Sequence, residues 1–345
     1  MEKIFTNGRL LRAVAAVVVA AGLGFVVSGC KTSTTSEQKA SGSGASASMY
    51  TPRVYFDSDS AYAYVKAQVA MGPRVAGTAQ GRECAEYIES ELRRHGAEDV
   101  VLQDGTVKAW NGDVLPIRNV MGRYNVDAKR RVLLVAHYDT RPWADGDEHI
   151  ENHDRAIPGA NDGASGVGVL LEIARRLGEE KAPVGVDLLF VDAEDYGKEG
   201  GFSLNENTWC LGTQYWTEHM PYDKKNLPEL GVLFDMVGGM GAKFHREFFS
   251  DNYAKGYVDK IWDLADRSGY GDVFVNKPGG AVVDDHVFIN RAGIPCVDII
   301  ENKSDDTKTF PATWHTLNDN LDYIDRASLK AAGQTVVNLI YDEMN

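Results

Sequence analysis

In "GVDLLFVDAED" (residues 185–195) an apolar run ends in three carboxylates, Asp192, Glu194 and Asp195. Leu188 to Val191 reads as a strand buried on both faces, the kind found inside parallel sheets. Adjacent like charges at the end of such a strand destabilise the fold unless a cation lies between them. The same shape recurs in "RVLLVAHYD" (131–139), "LGVLFDMVGG" (230–239) and "IPCVDII" (294–300). Helical spacing of apolar residues occupies 60–72, 79–96 and 166–180, then roughly 209–219, 250–268 and 284–292, with a last amphipathic helix over 326–344. "VVLQDGTVKAW" (100–110) and "PIRNVMGRYN" (116–125) read as strands, paired antiparallel. Buried strands alternating with helices predict one α/β domain over 50–345. Its sheet is mixed but mostly parallel and doubly wound, with helices on both faces.

In such sheets ligands bind beyond the carboxyl ends of the strands. Here the strands end in "HYD", "DAED" and "FDMVGG", which brings ionisable groups to one edge. The candidates are His137, Asp139, Glu194, Asp195 and Asp235, joined by Asp162 in "GANDGASG", Asp284 and Asp285 in "VDDHVF", and His315 in "WHT". Two imidazoles and several carboxylates, without a thiolate among the strand-end groups, suit zinc in an open catalytic site. A bound metal would make the adjacent Glu194 and Asp195 tolerable, one as ligand and the other handling protons. Singly, each residue has a plainer reading: Asp162 before Gly163 is also a turn signal, and Asp284 also a helix N-cap.

The ordered set "HYD", "NDGASG", "ED" after a strand, a later strand-end Asp and a late "HT" resembles zinc-dependent aminopeptidases of the bacterial leucyl aminopeptidase type. It also resembles their relatives, the animal-type glutaminyl-peptide cyclotransferases (glutaminyl cyclases). The resemblance covers about residues 55–340. It implies Asp162, Asp195 and His315 as zinc ligands, Glu194 as general base, and His137 and Asp235 as ligands of a second zinc in the aminopeptidase branch. It also implies a cis peptide after Asp162. Many relatives carry Glu where this chain has the shorter Asp195. Within the family, Trp314 before His315, Asp284 beside the base and Trp209 fifteen residues after Glu194 resemble the cyclase branch. The implied reaction converts an N-terminal Gln of a peptide or protein to pyroglutamate with loss of ammonia. One zinc would act at the γ-carbonyl, Glu194 would shuttle the proton, Asp235 and Asp284 would position it, and Trp209 and Trp314 would hold the substrate. The alternative is a di-zinc aminopeptidase using His137 and Asp235. An inert binding protein is the third class, against which the full ligand set and Glu194 argue. For each Trp, core packing is the plainer role.

The first fifty residues read separately. Lys3, Arg9 and Arg12 precede the short apolar run "AVAAVVVAAGLGFVV" and then "SGC" (28–30). This is the layout of a signal peptide over 1–29, and the residues before Cys30 resemble a bacterial lipobox. The expectation is an exported lipoprotein acylated on Cys30 and membrane-anchored facing the periplasm. Residues 30–49 would form a Ser/Thr/Gly/Ala tether. Removing residues 1–29, net +2, takes the chain from −14 to about −16, which argues against a nucleic-acid partner. Cys84, Cys210 and Cys296 remain, without the spacing of a disulfide framework or a metal knuckle. Three stretches stay open at this level. "RPWADGDEHIENHDRAIPG" (141–159) is a solvated loop or a cover over the pocket. "HREFFSDN" (245–252) is a substrate contact or a helix entry. "ENKSDDTKTFPATWH" (301–315) is a long loop delivering His315.

Overall fold

A computed structural model describes residues 50–200 and 204–344. The expected signal peptide (1–29) and the expected lipidation site Cys30 with its tether (30–49) lie outside the described residues. The described chain begins with helices α1 (Ser58–Val69) and α2 (Ala79–Arg94), then strands β1 (Asp99–Lys108), β2 (Val114–Tyr124) and β3 (Arg131–His137). Helix α3 (Ala164–Glu179) leads to β4 (Gly185–Val191), α4 (Leu211–Glu218) and β5 (Leu230–Asp235). Next come β6 (Phe244–Arg246), α5 (Phe248–Arg267), β7 (Phe274–Pro278), α6 (Asp285–Arg291), β8 (Cys296–Ile300) and α7 (Arg326–Asn338).

The main sheet has the order β1-β2-β4-β3-β5-β8. Strands β4, β3, β5 and β8 are mutually parallel, and β1–β2 is an antiparallel hairpin joined antiparallel to β4. The predicted mixed, mostly parallel sheet is therefore the observed one. From β3 the chain reaches β4 on one side and β5 on the other, so the order reverses around β3. A crevice opens beyond the strand ends at such a point. β6 and β7 form a separate two-stranded parallel sheet that the apolar pattern did not reveal. Each is short, and β7 is mostly exposed or half-exposed, so neither reads as a continuous apolar run.

Both faces of the sheet are covered, which explains why its parallel strands are mostly apolar rather than alternating. Val132, Leu134 and Ala136 of β3 point into the large core with residues of α1, α2, α3, α5 and α7. Leu133 and Val135 point the other way, against Trp216 of α4 and Ile289 of α6. Asp187 interrupts β4 without exposure. It accepts from Arg131 Nε at 2.8 Å, Arg123 Nε at 3.2 Å and the Tyr222 hydroxyl at 2.6 Å. Removing one partner of such a buried pair costs about 3–5 kcal/mol.

The strands stop earlier than the apolar runs predict, and for one local reason. Just beyond the sheet edge, Ala193 and Met236 have φ of 52° and 48°. This left-handed conformation is uncommon for residues with a Cβ and concentrates at functional sites. His315 shares it, with φ 55°. The chain turns sharply as it delivers each motif, so "DAED" (192–195) and "MVGG" (236–239) fall outside the ladder.

Candidate active site

Glu194 and Asp195 follow β4, Asp235 ends β5 and His137 ends β3, as the parallel register requires. Asp162 precedes α3, and the Asp162–Gly163 peptide is cis, as the resemblance implied. Gly163 is more than a turn residue. A Cβ there would meet the His137 carbonyl at 2.4 Å and the His137 ring at 2.7 Å, so only glycine lets Asp162 approach that imidazole.

Two sets of donor atoms share Asp162. In the first, His315 Nε2 lies 3.1 Å from Asp195 Oδ1 and 3.8 Å from Asp162 Oδ2. In the second, His137 Nε2 lies 3.1 Å from Asp162 Oδ1 and 3.2 Å from Asp235 Oδ1. Within each triad one ligand atom per residue falls within 4.8 Å of the others, close enough to hold a metal ion. The sequence-predicted ligands thus come together, including the two candidates for a second metal.

Burial governs the electrostatics. Burial alone would hold His315 neutral, but the Asp195 charge and the Asp145 and Asp195 carboxylates outweigh it and raise its pKa to about 9. Burial opposes charge on His137 too, yet Asp139, Asp162 and Asp235 push its pKa well above the usual imidazole range. Burial, partly offset by His315, lifts Asp195 to about 6. Glu194 is raised well above the usual carboxylate range by burial, with the neighbouring Asp284 and Asp195 charges adding to it and His137 opposing. Asp284 is raised in the same way by burial and by Asp235 and Asp285. Glu194, Asp284 and the Cys210 thiol gather within 4.8 Å, and Cys210 Sγ donates to Glu194 Oε1 at 3.2 Å.

These groups open into a cavity of about 290 Å³ lined by Asp162, Glu194, Asp195, Asp235, Asp284 and His315, with Trp209, Phe310 and Trp314 as its aromatic wall. The indoles of Trp314 and Trp209 both stack on His315, with ring centroids at 3.6 and 6.1 Å and interplanar angles of 22° and 15°. Both are only partly buried and both line the cavity, and Trp314 also packs against the cluster of Met236, Val282 and Ile300. His137 does not line it and sits behind Asp162 and Asp235.

Several positioning groups escaped the sequence reading. Asp139 accepts from the Glu194 and Asp195 backbone N–H groups at 3.0 and 3.1 Å. Asp319 does the same for Asn161 and Asp162, at 2.8 and 3.1 Å. Asp192 turns away from the cavity and accepts from the Arg118 and Ala193 N–H groups, which removes it from the opening trio of charges. Asp284 is an N-cap, accepting from Asp285 N at 2.6 Å, and it also lies beside Glu194. Glu247 shows that "HREFFSDN" is a helix entry. It caps α5 through Ser250 N, takes Val282 N at 3.0 Å and pairs with His286 at 3.0 Å, fixing the loop that carries Asp284. A carboxylate bridging two consecutive amides was the signal common to Asp139 and Asp319, but it needs the fold to be seen.

Comparison with known proteins agrees with this geometry. The chain is 46% identical to a glutaminyl cyclase from Bacteroides thetaiotaomicron, solved bound to N-acetylhistamine. The alignment covers 84% of this chain and 99% of that one, with a TM-score of 0.80. A leucine aminopeptidase precursor from the same organism matches at 46% identity over 84% and 98% of the two chains, with a TM-score of 0.79. Among curated proteins, the glutaminyl-peptide cyclotransferase of Bos taurus is 25% identical over 280 residues, 74% of each chain. The profile of Peptidase family M28 matches residues 119–340, about two thirds of the sequence, and the chain belongs to that family.

Proposed function

We propose that this protein is a zinc-dependent glutaminyl cyclase, converting N-terminal Gln of peptides or proteins to pyroglutamate with release of ammonia. One observation carries the reading. Glu194 lies beside Asp284 in a cavity of about 290 Å³ walled by the indoles of Trp209 and Trp314. The likeness to solved glutaminyl cyclases at 43–46% identity supports it.

The Asp162, Asp195 and His315 set fits zinc. It offers two carboxylates and one imidazole, and Asp195 Oδ2 is buried without a hydrogen-bond partner. Bound there, zinc would supply a Lewis acid for the γ-carbonyl and for the oxyanion formed on it. Glu194 takes a proton from the attacking α-amine and returns it to the departing ammonia. Burial raises its pKa, which makes the ionised carboxylate a stronger base toward the amine proton. Asp284, beside it, shares the charge burden, so the pair titrates as a unit. Trp209 and Trp314 hold the short substrate side chain folded back on itself. Such intramolecular geometry is worth roughly 7–11 kcal/mol of barrier. The indoles also exclude the water that would hydrolyse the amide.

The aminopeptidase reading has one specific observation in its favour, the intact His137–Asp162–Asp235 triad. Ammonia release separates the two. Gln-initiated peptides are expected to yield ammonia in a zinc-dependent way, with activity lost to a chelator and restored by zinc. Leu-initiated peptides are expected to yield nothing. Hydrolysis of Leu-initiated peptides at a comparable rate would overturn the assignment.

We further propose, from the first fifty residues alone, an exported lipoprotein held to a membrane through Cys30 and facing the periplasm. "SGC" and the polar tether that follows support it. Expressed in a bacterial host, Cys30→Ser is expected to move the protein from the membrane fraction to the soluble one. An unchanged distribution would contradict lipid anchoring.

A further inference from the structure

The loop over 141–159 contains a side chain that touches nearly every part of the site without lining the cavity. The Arg141 guanidinium is 1% exposed. Its Nε and Nη2 fork onto Asp145 Oδ1 and Oδ2, both at 2.6 Å. Its Nη1 donates to the Asp195 and Gly197 carbonyls, each at 3.2 Å, and lies 3.5 Å from Asp195 Oδ1. Its planar face rests on the Trp209 indole at 4.9 Å and on Trp143 at 5.4 Å. Asp145, held by this fork, places Oδ1 3.5 Å from His315 Nδ1. Gly146, next in the chain, donates to the His315 carbonyl at 3.0 Å. A Cβ at Gly146 would sit 2.5 Å from the Trp314 carbonyl, so the two loops are in direct backbone contact.

We propose that Arg141 and Asp145 form a positioning clamp that sets the metal affinity of the Asp162–Asp195–His315 set and fixes the Trp209 wall of the pocket. The inference rests on the zinc reading above. Asp145 acts on the imidazole electrostatically through the nitrogen opposite its ligand atom, which it faces at 3.5 Å, with the exposed Glu199 at 3.6 Å from the same nitrogen. A carboxylate in that place fixes the ring's tautomer and strengthens it as a ligand. Arg141 neutralises Asp145, and its two bonds to the Asp195–Gly197 backbone hold the second ligand in register with the first. A flat, forked cation is required. Lysine would bring the charge but not the two parallel bonds to Asp145 or the face against the indole. The loop is thus neither merely solvated nor a lid: its first turn is a brace for the site.

The test is zinc affinity, measured by competition with a chromophoric chelator on the purified protein, alongside kcat and KM. Arg141→Met is expected to bind zinc 10–100-fold more weakly and to raise KM even at saturating zinc, because Trp209 loses its support. Arg141→Lys is expected to recover only part of either effect. Asp145→Asn keeps the size and one of the two acceptor oxygens that Arg141 uses, so it answers the question if Arg141→Met does not fold. It is expected to weaken zinc binding about tenfold with KM unchanged. Zinc affinities within twofold of the unmodified protein in folded Arg141→Met, or in Asp145→Asn, would overturn the clamp. An unmodified protein that binds no zinc would instead overturn the metal reading on which it rests.

Discussion

Glu194→Gln is expected to lower kcat by about 10²–10⁴-fold while leaving zinc bound, the range that positioned general acid–base groups supply. The substitution preserves shape and removes the ability to hold the travelling proton. Glu194 belongs to neither of the two triads around Asp162, so the metal set is not touched. Cys210 Sγ still has an oxygen to donate to, which keeps the side chain in place. The decisive comparison is kcat against zinc content, measured on the same preparation. A variant with bound zinc and a rate within fivefold of the unmodified enzyme would move the general base to another group, Asp284 being the nearest.

Asp162→Asn should produce the complementary result. Asp162 is shared by the His137–Asp235 and Asp195–His315 sets, one oxygen facing His137 and the other His315. Loss of its charge is expected to weaken zinc binding by more than about 100-fold, beyond the effect of losing a group that merely orients a ligand. Turnover should vanish at low zinc and return in part when zinc is added. Folding should survive, because the Asp319 brace acts on the Asp162 backbone rather than on its side chain. Circular dichroism and chelator competition together check this. Wild-type affinity in the variant would mean that the metal sits elsewhere.

The two substitutions separate chemistry from metal binding at positions that were both legible in the sequence. Asp162 lies in the loop before α3 and was singled out by the resemblance; Glu194 was legible because the ionisable residues that follow an apolar strand mark the sheet edge. "AHYD", "VDAED" and "LFD" each do so, and the parallel register carries them to one place. What was not legible depends on contacts distant in sequence. Arg74, fully buried, donates to the Tyr138, Pro158 and Gly159 carbonyls and so ties α2's approach to both ligand loops. Nothing around Arg74 in the chain announces those partners. Asp139 was visible as a strand-end carboxylate, but its role as an acceptor of two consecutive amides requires Glu194 and Asp195 to be folded beside it. Arg141 looked like one charge in a polar loop. The early ends of β4 and β5 were missed because the left-handed turns at Ala193 and Met236 occur at residue types that give no turn signal.

The resemblance added what spacing could not, the choice between two chemistries built on nearly the same ligands. Asp284, Trp209 and Trp314 carry that choice. All three face the cavity, whereas His137 lies behind Asp162 and Asp235 and outside its lining. That arrangement favours a reaction confined to the substrate's own side chain over attack by an activated water.

The most direct test is the mass of a Gln-initiated peptide after incubation with the purified protein and zinc. The account predicts a product lighter by one ammonia, its remaining sequence intact, and no such product with a chelator present. A peptide shortened by its whole first residue would contradict it, and would assign His137 and Asp235 to a second zinc in an aminopeptidase.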